Sequence, residues 1–167
     1  MQFSNFNMDS LLGFSIACWI KPATDSIGGL FLVRSSSTHR IRLDDSGLTF
    51  RDTKNSNQRS IPWNHTFIAD KWVHVCTVYK QGEVFIYCDG ELTNHDTSYY
   101  HSDGQTNTSN TEIRIGRSQS TSGNVYFNGS INDFRIYDHT LSAKEVKEIA
   151  KGLMLHYKLN DKYAEPT

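Results

Sequence analysis

Long apolar runs are missing from this sequence of 167 residues. None approaches the ~20 residues that a membrane-spanning helix needs. The start, Met1-Gln2-Phe3-Ser4-Asn5, lacks the basic segment and apolar stretch of a secretory signal. The chain is therefore expected to be soluble as given. For work outside a cell, its export signal would lie elsewhere, or it would be released by lysis as part of a virus. An excess of one charge is missing too, with 17 basic and 18 acidic residues and no basic run along the chain. That excludes the linear signature of a nucleic-acid binder. Cysteine is scarce: Cys18, Cys76 and Cys88 have no C-x-x-C spacing, which removes zinc and redox motifs. Each lies in an apolar run and reads as a buried free thiol. The seven histidines show no H-E-x-x-H or H-x-H spacing, and no serine lies in a G-x-S-x-G elbow. The sequons at Asn64, Asn107 and Asn128 are read as chance matches in an Asn- and Thr-rich chain.

What is present is a train of short alternating segments broken by turn residues, enough for one domain. Phe14, Ile16, Cys18 and Ile20 share one face of a strand that Lys21-Pro22 ends. Strands are predicted over 30–34, 39–43 and 47–51, the last two joined by Asp44-Asp45-Ser46-Gly47, and 52–59 reads as a polar loop. The runs 72–79 and 83–88 follow, with Asp89-Gly90 as a hairpin turn. Residues 93–111 read as a long polar loop, of the kind that is functional or disordered. Strands resume at 113–115, 124–126 and 130–137. Ser142 and Glu145 make a capping box for one helix, Leu141 and Val146 a hydrophobic staple, and Gly152 a stop. The pattern predicts an all-β, two-sheet antiparallel sandwich with one short helix near the C-terminus.

These segments resemble a family. Phe14 to Pro22, Trp72 to Val75, Val84 to Leu92, Ile113 to Gly116, Phe127 to Tyr137 and Leu141 to Val146 resemble, in order, the strands and closing helix of laminin G-like (concanavalin A-like, pentraxin-related) jelly rolls. The resemblance implies a laminin G-like jelly-roll domain over 1–152, with 153–167 as a final strand and the start of a linker. The stretch Gly152 to Asn160 is similar to bridges between modules in phage tail and gut bacterial surface proteins. Two departures stand out: Gln2 to Met8 match the family's opening strand poorly, and Asn132 stands where an Asp is usual, followed by Asp133.

The resemblance brings glucanases into view, but catalysis is not expected. A retaining glycosidase holds two carboxyls ~5–5.5 Å apart, whereas Glu83 and Asp89 on one strand lie about 20 Å apart at 3.3 Å per residue. It also implies one structural Ca²⁺ near Asn132, with Asp133 directed to the other face by strand alternation. Ligand binding is expected in the loops, at Trp63, His65, Tyr99, Tyr100, His101 and Asp103, where aromatics stack on sugars and polar groups bond hydroxyls. The reading is a non-catalytic module for carbohydrate or another surface ligand, in a virion tail or at a cell surface. The alternatives are an assembly domain contacting other virion or surface-protein subunits, and a glycoside hydrolase. Neither nucleic acid nor membrane insertion is expected.

Overall fold

The computed structural model describes residues 13–34, 40–51, 58–80, 82–97, 112–120 and 123–151. Alternation does what the sequence predicts. In β1 (Gly13–Pro22), Phe14, Ile16, Cys18 and Ile20 enter the core while Ser15, Ala17, Trp19 and Lys21 take the other face. Strand β1 lies between β6 (Val73–Lys80) and β12 (Gly129–Tyr137), and β7 (Glu83–Cys88) and β8 (Glu91–Asp96) complete a first sheet in the order β12-β1-β6-β7-β8. The second sheet runs β5-β4-β3-β2-β9, from β2 (Gly29–Arg34), β3 (Arg40–Asp44), β4 (Gly47–Arg51), β5 (Gln58–Ile61) and β9 (Glu112–Ile115). All pairings are antiparallel. A separate hairpin pairs β10 (Arg117–Ser120) with β11 (Gly123–Tyr126). Polar β5 begins within the stretch 52–59 read as loop, the part of β8 beyond Leu92 falls in the predicted loop 93–111, and β10 falls where the sequence assigns no element. Their strand state comes from neighbours rather than from alternation.

Between the sheets, Ile16, Ile20, Leu30, Phe31, Leu43, Leu48, Val84 and Ile86 are fully buried. A smaller cluster forms on the outer face of the first sheet. There Ala17, Cys76, Val78 and Tyr87 meet Leu141 and Val146 of the segment carrying helix α1 (Ala143–Lys151). The capping box forms as expected: Glu145 accepts the Ser142 N–H at 2.8 Å, and the Glu145 N–H donates to Ser142 Oγ at 3.3 Å. Ser15 Oγ accepts the Leu141 N–H at 2.9 Å and donates to the His139 carbonyl at 3.0 Å, tying the helix approach to β1.

Two tight turns need their residues. Asp89 and Gly90 both have positive φ (51° and 80°), matching a type I′ hairpin. Gly47 has φ 93°, and a Cβ there would stand 1.9 Å from the Ile61 carbonyl oxygen. Gly47→Ala is thus expected to cost at least about 2 kcal/mol, from the left-handed backbone penalty plus displacement of β5. A urea midpoint equal to that of the parent would refute this account of the turn.

All three cysteines are buried free thiols. Burial raises each thiol pKa, Cys76 and Cys88 to about 12, so little thiolate exists at neutral pH.

Candidate functional site

The connections between strands gather at two ends of the sandwich. One end holds the turns at 23–28, 45–46, 62–72, 89–90, 116 and 127–128. Trp63 and His65 lie there. Thr97 and Glu112, the described residues on either side of the candidate positions 99–103 of the predicted 93–111 loop, lie at the opposite end, beside the Lys80↔Glu83 and Arg34↔Arg40 pairs. The sequence treats these loops as one ligand-binding set, and the topology enters them from opposite ends. Tyr99, Tyr100, His101 and Asp103 themselves lie outside the described residues.

Trp63 departs from its expected role. It is 3% exposed, its indole N–H donates to the Asp44 carbonyl at 2.7 Å, and its ring meets Phe67 edge-on with centroids 5.7 Å apart. Pro62 and the end of β5 turn the chain inward, so Trp63 closes the end of the core and offers no free face to a sugar. His65 is exposed, as expected, with its ring edge-on to Phe67 at 5.1 Å.

The aromatic that does face outward here is Trp72. It is 39% exposed, with Lys21 Nζ 5.8 Å from its ring centre. The turn before it is fixed at several points. Asp70 N donates to the Pro22 carbonyl at 2.7 Å, Ala69 N to Asp25 Oδ1 at 2.9 Å, and Lys71 N to the Ile68 carbonyl at 3.2 Å. Ile68, 50% exposed, flanks the same turn. The result is a rigid rim with one indole, one aliphatic side chain, a lysine and nearby carboxylates. The sequence pattern places Trp72 inside a strand. The signal that could have found it is its position just before the strand, with the parity of the outward His74.

On the outer face of the first sheet, Trp19 packs edge-on to His74 with centroids 5.3 Å apart, and both are buried. The His74 N–H donates to Asp89 Oδ1 at 2.8 Å. Burial lowers the His74 pKa to about 4, against the smaller opposing pull of Asp89 and Asp133.

Asn132 and Asp133, the expected calcium residues, lie at the edge of this face. The strand pairs Ala17 with Arg135 and Trp19 with Asn132, so Cys18 alone opposes both Asp133 and Phe134. This bulge corrects the expected alternation. Phe134 takes the core side, and Asp133, with φ 51°, joins Asn132 and Arg135 on the exposed side. Asn132 Oδ1 accepts the Asp133 N–H at 2.8 Å, and Asp133 Oδ1 accepts Arg135 Nε at 2.7 Å. A calcium site takes six to eight oxygens. Two oxygens already accepting protein donors, one of them a cation, do not fit that set, and among the described residues no three His, Cys, Asp or Glu side chains converge.

Nor do the acidic residues of β7 and its turn converge. Glu83 and Asp89 stand at opposite ends of β7, Asp89 is held by the His74 amide, and Glu91 pairs with Lys147 at 2.7 Å.

Comparison with known proteins agrees with this fold. A model of the concanavalin A-like lectin/glucanases superfamily matches residues 1–147. Domain 4 of an extracellular arabinanase from Geobacillus stearothermophilus, solved with arabinotriose, superposes with a TM-score of 0.69 at 20% identity, covering 84% of this chain and 68% of that one. A pentraxin from Limulus polyphemus gives 0.60 at 19% identity, over 84% and 70%. Mouse usherin is 32% identical over 92 residues, which is 53% of this chain and only 2% of usherin's length.

Proposed function

We propose that this chain, a member of the concanavalin A-like lectin/glucanases superfamily, is a non-catalytic carbohydrate-binding module whose contact surface is the rim around Trp72. The observation that carries this is the half-open indole, held on a pinned turn with Lys21 above it. Sugar rings present apolar faces that stack on such a plane, while Lys21 over the ring and Asp25, which holds the turn before it, offer groups that bond hydroxyls. Support comes from the arabinotriose complex of the domain that superposes best among those described above. Placement in a virion tail or on a cell surface fits such a module, since weak single sites gain from display in many copies. The acidic residues of β7 and its turn give no pair suited to glycosidic cleavage.

Titration with arabinotriose and a panel of neutral oligosaccharides, followed by tryptophan fluorescence and calorimetry, tests the reading. Trp72→Ala is expected to weaken any binding seen at least tenfold while leaving the melting temperature nearly unchanged. Binding that survives Trp72→Ala would move the contact elsewhere. A melting temperature that rises on calcium addition, and loses that rise in Asn132→Ala, would bring the metal back.

A further inference from the structure

The bulge in β12 is a backbone outlier that the fold enforces. Asp133 is a non-glycine residue at φ 51°, a conformation that persists only where the surroundings hold it. Here they hold it from the core side. Phe134 seats its ring against Phe31 with centroids 5.2 Å apart, and Ile131 and Ile136 pack on the same core. Asp133 is thereby turned to the side of Asn132 and Arg135, where strict alternation would divide the three between two faces. Bulges that re-aim a side chain in this way are common beside functional sites.

The three side chains lock one another. Asn132 Oδ1 accepts the Asp133 N–H at 2.8 Å, and Asp133 Oδ1 accepts Arg135 Nε at 2.7 Å. Arg135 Nη1 donates to Tyr137 Oη at 3.4 Å. Each residue keeps a further group: Asn132 its Nδ2 donors, Asp133 its second oxygen, Arg135 its Nη2 donors. The Asp133 and Arg135 side chains are 41% and 50% exposed. Donor, acceptor and donor thus stand side by side with no net charge. A sugar hydroxyl both donates and accepts, so neighbouring hydroxyls of a neutral sugar match that set. Side chains held in advance also lose little freedom on binding.

This ledge continues the Trp72 rim. Lys21, whose Nζ lies 5.8 Å from the Trp72 ring centre, is paired across β1 and β12 with Ser130. Trp19, on the same face of β1, is paired with Asn132. Trp72, Lys21, Ser130 and Asn132 therefore form one outward path from the start of β6 across β1 to β12. Two strand spacings make it about 9–10 Å wide. Gly129 lets β12 close on β1 here, since a Cβ on it would stand 2.2 Å from the Lys21 carbonyl oxygen. Further along β1 the path ends, where Leu141 and Val146 cover Ala17 and Cys76.

We propose that Asn132, Asp133 and Arg135 form a second subsite of the Trp72 rim, and that the ligand is a neutral oligosaccharide of more than one unit. One ring stacks on Trp72, the chain passes Lys21 and Ser130, and hydroxyls of a later unit bond the bulge residues. The subsite rests on the Trp72 reading and adds to it the length and charge of the sugar. An acidic sugar would meet Asp133 as a like charge.

Calorimetry with arabino-, xylo- and malto-oligosaccharides of increasing length, with trigalacturonate as the acidic comparison, tests it. In a series that binds, affinity is expected to rise at least tenfold from monosaccharide to trisaccharide, the effect of a hydrogen bond to a charged group. Asp133→Gly removes the carboxylate and leaves a residue that takes φ 51° freely. It and Asn132→Ala should each cut that gain severalfold, with the melting temperature nearly unchanged. Trp72→Ala should weaken binding at every length. A gain with length that survives both variants, no gain with length, or tighter binding of trigalacturonate would overturn the subsite and leave a Trp72-dependent site standing. No binding in any series, or binding indifferent to Trp72→Ala, would remove the Trp72 reading and the subsite with it.

Discussion

Trp63→Ala is expected to lower the unfolding free energy by about 3–5 kcal/mol, the range for removing a buried large aromatic. Trp63 is 3% exposed and closes the end of the core over Phe67, and its N–H satisfies the Asp44 carbonyl at 2.7 Å. The substitution leaves both a cavity and an unpaired carbonyl. For a domain of this size, a melting temperature lower by about 10 °C is the expected reading. Trp63→Phe should recover part of the loss by keeping a ring, but not the hydrogen bond. The contrast with Trp72→Ala is the point of the experiment, because two tryptophans nine positions apart are assigned opposite roles. A Trp63→Ala protein with parental stability and impaired glycan binding would reverse that assignment.

Acid should destabilise the domain through His74. The residue is 2% exposed, and burial lowers its pKa from 6.5 to about 4. Among the described residues its Nδ1 meets no partner, so a proton added there finds no acceptor. Between pH 6.5 and 4 the unfolded chain therefore binds more protons than the folded one, and stability falls as pH falls. At about 1.4 kcal/mol per unit, the loss approaches about 3 kcal/mol by pH 4. Carboxylates elsewhere titrate at the lower end of this window, so the informative quantity is the difference between the parent and His74→Phe. The parent should lose more stability than the variant over that interval, measured by urea unfolding at each pH. Parallel curves would mean that His74 is protonated in the native state.

Much of the architecture was legible in the amino-acid order. Alternation at Phe14, Ile16, Cys18 and Ile20 specifies which side of β1 is buried, because side chains on a strand alternate whatever lies around them. Asp89-Gly90 and Gly47 mark their turns through backbone conformation, a local property. Ser142 and Glu145 start the helix by satisfying its first free amides, again locally. Of the four edge strands, β9 and β12 were legible, whereas β5 and most of β8 were not. Gln58 to Ile61 and Glu91 to Asp96 have little apolar alternation, and become strands because β4 and β7 offer them backbone partners.

The binding residues were less legible, for the same reason. Chain order alone fixes local turns, caps and alternation, since these depend on neighbours a few residues away. The folded arrangement decided that Trp63 faces the core and Trp72 the exterior. It also decided that a bulge opposite Cys18 turns Asp133 outward. Which residues face one another across a sheet is a property of register between distant segments, which no window along the chain contains.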